Sequence, residues 1–288
     1  MKRFSKLHLL CMLAALGLSN LTQAKSHGEY AASSEELTFE SDGKKMSGFI
    51  YQAAGKGSHP SVLLLHGYPG NEKNLDVAQA LRSIGWNVVF FHYRGAWGSE
   101  GEFSFLNAEA DVQSVLKYMK NNADKLRIDE KSISLVGHSM GGHLSIAGIL
   151  DNPEVSCAIA YDGANLGVND LGIAADPATT IPWAEYSDTL FMLEGWSGKK
   201  ALTELKENAK ALNLVRRVNT LNGRPVMLIA ADTAVIPMES HITPLLKALR
   251  GTKNNKISYK LINDDHSFNS SRTQLIETTV NFLNDNCK

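Results

Sequence analysis

Six short apolar runs, separated by segments with a helical rhythm, constrain this chain more than any other feature. They fall at residues 62–65, 88–91, 133–136, 157–161, 226–231 and 257–262. Most are continuously apolar rather than alternating, the pattern of strands covered on both faces of a largely parallel sheet. The intervening segments place apolar residues at helical spacing: Val77, Leu81 and Ile84; Ala108, Val112, Val115 and Met119; Leu275 or Ile276, Thr279 and Leu283. Each such stripe covers one sheet face. The alternation predicts an α/β fold, a mostly parallel sheet with helices on both faces, and right-handed crossovers gather the strand C-terminal ends on one edge. Chemistry is expected along that edge. Ahead of the first run, residues 36–52 read as two extended stretches around Ser41-Asp42-Gly43, a hairpin signal.

One stretch breaks the alternation. From Gly163 to about Gly223 the chain holds Pro177, Pro182, Trp183, Phe191, Met192 and Trp196, together with a helical stripe at Leu202, Leu205, Ala209 and Leu212. A structureless loop of that length inside a domain is improbable, so residues 163–223 are expected to form a mostly helical cap insertion. The four large apolar side chains from Trp183 to Trp196 are candidates to line a pocket or to pack the cap on itself.

The first residues carry Lys2, Arg3 and Lys6, then an apolar run from Leu7 to Leu18, then a polar stretch ending at Ala24. This is the layout of a secretory signal peptide, 1–24, and the apolar run is shorter than the ~20 residues that a spanning helix needs. A secreted or periplasmic protein with no stable membrane anchor is expected, with residues 25–288 as one domain that carries the insertion. Its removal takes away three positive charges and moves the formal net charge from −1 to −4. A mildly acidic surface without basic clusters offers no footprint for nucleic acid. Two cysteines remain, Cys157 inside a predicted buried strand and Cys287 beside the terminus. They are expected as two separate thiols.

Residues 132–146 join a small apolar strand to a helix through Gly137-His138-Ser139-Met140-Gly141. A nucleophilic serine on a sharp strand-to-helix turn needs glycines two residues to either side, because side chains there would strike neighbouring backbone. Ser139 is therefore the candidate nucleophile.

With this elbow and the strand succession together, the chain from about Met46 onward resembles the α/β-hydrolase family, in its serine esterase and peptidase-like branch. The resemblance extends to Leu63-Leu64-Leu65-His66-Gly67-Tyr68-Pro69-Gly70, similar to the family's oxyanion loop, and implies that the backbone N–H groups of Tyr68 and Met140 form the oxyanion hole. The segment from Tyr93 to Gly101 resembles the family's turn after the next strand, where Arg94 is expected to be structural, satisfied by backbone carbonyls. The family order of nucleophile, acid and base assigns the base to His266, directly after the last apolar run and before Ser267-Phe268. For the acid, Asp232 is the first choice, after the run 226–231 and shortly before Val235-Ile236-Pro237. That turn departs from the family pattern: it lacks the usual Gly and is a residue short. Asp162, in Tyr161-Asp162-Gly163, is the alternative, while Asp264 and Asp265 are too close to His266 in sequence. His143 and His241 fall on predicted helices as solvent-facing or packing residues. His66, His92, His138 and His143 show no metal-binding spacing, so neither metal nor cofactor is expected.

The implied reaction is acyl transfer to water through Ser139, His266 and Asp232 by way of an acyl-enzyme. The partner is a small-molecule acyl substrate, an ester first and a peptide second. A non-catalytic ligand-binding member of the same fold is the competing class.

Overall fold

The protein's structure, a computed structural model, describes residues 30–172, 176–231, 233–253 and 256–288. The predicted signal peptide, 1–24, and Asp232 lie outside these residues. Residues Ala32–Lys288 form one compact unit. The first two strands, β1 (Ser33–Ser41) and β2 (Lys44–Gln52), pair antiparallel, with Ser41 opposite Lys44. Between them Asp42 and Gly43 both take positive φ, 51° and 69°. That is the twist-matched two-residue turn for which Asp-Gly is suited.

Six further strands follow: β3 (His59–Leu65), β4 (Asn87–Phe91), β5 (Ile128–His138), β6 (Cys157–Tyr161), β7 (Val226–Ala231) and β8 (Ile257–Ile262). Each contains one of the apolar runs. The helices are α1 (Leu75–Ser83), α2 (Phe105–Asn121), α3 (Ala123–Leu126), α4 (Met140–Asp151), α5 (Pro177–Asp188), α6 (Gly198–Glu207), α7 (Ala209–Leu212), α8 (Ile242–Gly251) and α9 (Arg272–Asn286). The sheet order is β1-β2-β4-β3-β5-β6-β7-β8, with β3 through β8 parallel. After β4 the chain crosses back over β3 and continues in the other direction. The strand order therefore reverses between β3 and β5, and a crevice opens outside their C-terminal ends.

Successive residues of each strand feed opposite faces. Leu63, Leu65, Leu135, Ala158, Ala160 and Leu228 join the core beneath α2, α4 and α8. Val62, Leu64, Val136, Ile159, Tyr161 and Ile229 join the core beneath α1 and α9. Both faces are filled, which is why the runs are continuously apolar. Each fully buried aliphatic side chain stabilises the fold by roughly 1.5–3 kcal/mol relative to exposure. The predicted stripes are buried at Val77, Leu81, Ala108, Val112, Val115, Met119, Leu275, Thr279 and Leu283. Ile84 is instead the C-cap of α1 and is exposed.

Two expectations are corrected. Cys157 and Cys287 form a disulfide, with Cα atoms 5.6 Å apart across 130 residues. The cysteine of β6 points to the α9 face, and α9 runs back over that face until its C-cap, Cys287, meets the start of the strand. Proximity in sequence to the terminus says nothing about where a long terminal helix delivers its end. The stripe from Leu202 to Leu212 is not one helix. Asn208 ends α6 and begins α7, and its side chain donates to the Glu204 carbonyl.

Candidate active site

Four strand ends converge at the crevice. Ser139 sits between β5 and α4 at φ 57° and ψ −117°, a conformation that costs an L residue of order 1–3 kcal/mol and is tolerated where surrounding structure enforces it. The enforcement is visible in the flanking glycines. A Cβ on Gly137 would approach the Gly141 carbonyl oxygen, and one on Gly141 would come within 2.1 Å of the Leu65 oxygen. Helix α4 is buried from Met140 through Leu150, so the elbow cannot relax outward.

The turn after β3 lies against this elbow, because a Cβ on Gly67 would stand 3.0 Å from that of Ser139. Tyr68 follows. Among the described hydrogen bonds outside helices and strands, the amide N–H groups of Tyr68 and Met140 have no acceptor. Met140 opens α4, where the first amides lack an intrahelical partner. The Tyr68 ring faces the cap: Trp196 Nε1–H donates to its hydroxyl at 2.9 Å, and the hydroxyl donates to Ser187 Oγ at 2.8 Å. Burial raises the phenol's pKa, so it stays protonated.

After β8, His266 Nδ1 lies 2.6 Å from Oδ2 of Asp162. The carboxylate on the ring is thus Asp162, the residue ranked second in sequence; Asp232, ranked first, lies outside the described residues. Asp162 is fully buried at φ 39°, directly after β6. It accepts the Ala231 amide at 3.0 Å and the Thr233 hydroxyl at 3.4 Å. A buried carboxylate with three hydrogen-bond partners is held in one orientation. The available signals were the short turn at Asp232 and the Asp-Gly pair at the end of a strand.

His138 holds the other side of the base. Its Nε2–H donates to the His266 carbonyl at 2.8 Å, and the two rings stand 4.5 Å apart. Burial first, then the neighbouring His266, push the His138 pKa down to about 3, so the ring is neutral. Arg94 is structural, as expected, but its main partner is a carboxylate: Nε donates to buried Asp111 at 2.5 Å and the Arg94 amide to the same group at 2.8 Å. His143 and His241 are not solvent-facing. His143 is buried and its Nε2 meets Glu109 at 2.8 Å. His241 precedes α8 and accepts the Asn165 amide at 3.0 Å.

Ser139, Met140, Tyr68, His266 and His241 line one cavity of about 790 Å³, which Trp183, Leu202 and Leu205 from α5 and α6 also line. Of the four large side chains, candidates either to line a pocket or to pack the cap, only Trp183 lines the cavity. Trp196 packs between Phe103 and Phe105, Met192 packs on the core, and Phe191 is 91% exposed.

Residues 49–165, which include β3 through the loop after β6, match the BD-FAE family model. An uncharacterized protein of Mycobacterium tuberculosis is 26% identical over 119 residues, 41% of each chain. Lysophosphatidylserine lipase ABHD12 of Danio rerio is 33% identical over 94 residues, 32% of this chain and 23% of that one. The chain thus matches less than half the length of these curated relatives. Among solved structures, the Pyrococcus furiosus esterase Pf2001 superposes with a TM-score of 0.68 at 18% identity, covering 89% of this chain and 92% of that one. Est1E from Butyrivibrio proteoclasticus, with ferulic acid bound, gives 0.67 at 18% identity over 87% and 98%. By its sheet order and these structural likenesses, the chain has the α/β-hydrolase fold, and its residues 49–165 are similar to the BD-FAE family.

Proposed function

We propose that the protein is an exported serine hydrolase that cleaves carboxylic esters with Ser139 as nucleophile, His266 as base and Asp162 as acid. The observation that carries this reading is the 2.6 Å contact of His266 Nδ1 with buried Asp162, which leaves Nε2 as the proton acceptor on a ring that lines the same cavity as Ser139. In the first step Ser139 Oγ attacks the ester carbonyl carbon and His266 takes its proton. The negative charge on the former carbonyl oxygen falls to the amides of Tyr68 and Met140, each worth about 3–4 kcal/mol of barrier. Collapse expels the alcohol, which receives the proton from His266, and leaves an acyl-serine. Water, deprotonated by the same ring, attacks that acyl group; the acid leaves and Ser139 is restored. Asp162 fixes the tautomer with Nδ1–H and stabilises the imidazolium.

The solved esterases of similar fold support an ester as the substrate class, and the mainly apolar lining supports an apolar acyl or alcohol group. Export is supported by the charge and apolar pattern of residues 1–24 and by the Cys157–Cys287 disulfide, a bond that persists in oxidising compartments. A fluorophosphonate probe tests the core of the proposal: wild type labels covalently and Ser139→Ala does not, and turnover of p-nitrophenyl esters falls by about 10⁴-fold or more in that variant. Folded wild-type protein that neither labels nor cleaves esters rejects it, and turnover of aminoacyl anilides alone rejects the ester assignment. Recovery of the mature chain in the cytoplasmic fraction rejects export.

A further inference from the structure

Resting on the hydrolase reading above, we propose that His241 forms a substrate subsite, a neutral N–H donor that recognises an uncharged oxygen acceptor (ether, hydroxyl or carbonyl) carried by the ester beyond its scissile group. The ring lines the same cavity as Ser139 and His266. Its Nδ1 accepts the amide N–H of Asn165 at 3.0 Å, so the neutral ring carries its proton on Nε2. Among the described residues Nε2 has no protein partner, and it is not sealed from solvent as the orphaned Nδ1 of His138 is. The ring therefore presents one unfilled donor to the space a substrate occupies.

The tautomer is rigidly imposed. Asn165 is fully buried, its Oδ1 accepts the amides of Gly167 and Leu214 at 3.3 and 3.2 Å, and its Nδ2 donates to Asn213 at 3.2 Å. The backbone that points at His241 is thus anchored from both sides of the cap. Burial, outweighing the attraction of Asp162, lowers the His241 pKa to about 4, so the ring is a dipolar donor rather than a cation at neutral pH. The rest of the lining agrees with an uncharged ligand. Among its described residues it holds no Lys or Arg, and its one carboxylate, Asp176, accepts the Ala178 amide at 2.9 Å as the N-cap of α5. A carboxylate or phosphate on the substrate would meet no compensating positive charge, whereas an ether or hydroxyl oxygen would complete the one open hydrogen bond.

The test is an oxygen scan. Values of kcat/KM are measured for p-nitrophenyl hexanoate and for the esters in which each chain methylene in turn is replaced by an ether oxygen. The same is done on the alcohol side with hexyl butanoate and its ether counterparts. Wild type, His241→Phe and His241→Gln are compared, so intrinsic ester reactivity cancels in the ratio of oxygen to methylene. At one position the wild-type ratio is expected to exceed that of His241→Phe by about fivefold to tenfold, with part of the preference restored in His241→Gln, whose amide offers a donor. His241→Ala serves the same comparison should the Phe variant fail to fold. Equal ratios at every position in enzymes that do cleave the esters overturn the subsite alone. A wild type that cleaves no ester and takes no fluorophosphonate overturns the hydrolase reading beneath it.

Discussion

The two walls of the cavity are built on opposite principles. The inner wall comes from strand ends: Tyr68 after β3, Ser139 after β5 and His266 after β8 line the cavity, with Asp162 after β6 buried behind His266, each within a few residues of a sheet strand. Two of these, Ser139 and Asp162, hold positive φ, and glycines admit no other backbone path at the elbow. The outer wall comes from α5 and α6, between β6 and β7. Helix α5 buries only Ser187, while Ile181 and Tyr186 on it are exposed. A sheet edge can fix reacting atoms to fractions of an ångström because its backbone has no freedom left, whereas a half-buried helix pair adapts to what it covers. On the proposed mechanism, substitutions in the inner wall are therefore expected to act on chemistry and those in the outer wall on selection.

The largest expected effect removes the proposed acid behind the inner wall. Asp162→Asn keeps the shape but offers His266 Nδ1 an amide in place of a carboxylate, so the ring no longer holds its proton where the base needs it. A fall in kcat of about 10⁴-fold is expected, with KM little changed. Asp232→Asn is expected to lie within a few-fold of wild type. The reverse ranking in ester kinetics returns the acid to Asp232.

That pair also marks how far the sequence was legible. Apolar runs locate strands because both faces of a parallel sheet are buried, and the six of them fall inside the observed strands. The elbow at Ser139 is legible because its requirement is steric and local. The choice between Asp162 and Asp232 depends on which strand end reaches His266 across the sheet, which no local pattern encodes; the short turn at Asp232 was the available clue. The cap was legible only as helical composition. Its split at Asn208 is a local break, with the Asn208 side chain bonded to the Glu204 carbonyl, whereas the turning of Trp196 toward Phe103 and Phe105 arises from packing between segments roughly ninety residues apart. Asn165, which fixes His241, carries no sequence signal at all.

A second comparison separates stability from chemistry on one strand. Cys157 opens β6 and Asp162 follows its end, about 16 Å away at 3.3 Å per residue. Replacing Cys157 and Cys287 with Ala removes a cross-link spanning 130 residues and is expected to cost about 2–5 kcal/mol, or roughly 5–15 °C in Tm. Below the new transition kcat/KM should remain near wild type. A large loss of activity in the folded variant would mean that the two ends of β6 are coupled.

Acid should attack the inner wall through its neutral histidines. Burial lowers the pKa of both His66 and His138 to about 3, against 6.5 in the unfolded chain. The unfolded state then binds more protons at any pH between these values, so stability is full above 6.5 and is lost as pH falls toward 3. Each ring contributes a slope of about 1.4 kcal/mol per pH unit in that window. Urea midpoints at pH 7.5, 5.5 and 4.5 measure this, and His66→Asn or His138→Gln should each flatten the curve. A wild-type midpoint that does not move with pH contradicts the neutral assignment.

The smallest effect is expected at the seam where the walls meet. A chain of donors runs from Trp196 Nε1–H to the Tyr68 hydroxyl, on to Ser187 Oγ, and from there to the Trp183 carbonyl at 2.8 Å. In the proposed mechanism Tyr68 offers its amide to the oxyanion, while its hydroxyl bonds to the cap. Tyr68→Phe cuts only the second tie. The amide remains, so the oxyanion donor is kept, but the Trp196 N–H loses its acceptor and the cap its anchor, at about 1–3 kcal/mol of stability. Catalysis should respond by about threefold to tenfold in kcat/KM, carried mainly by KM, because what loosens is the surface that selects substrate. Steady-state kinetics across ester chain lengths, together with Tm, distinguish the cases. A loss confined to kcat would place the hydroxyl in the inner wall's chemistry and erase the division between the two walls at the residue that joins them.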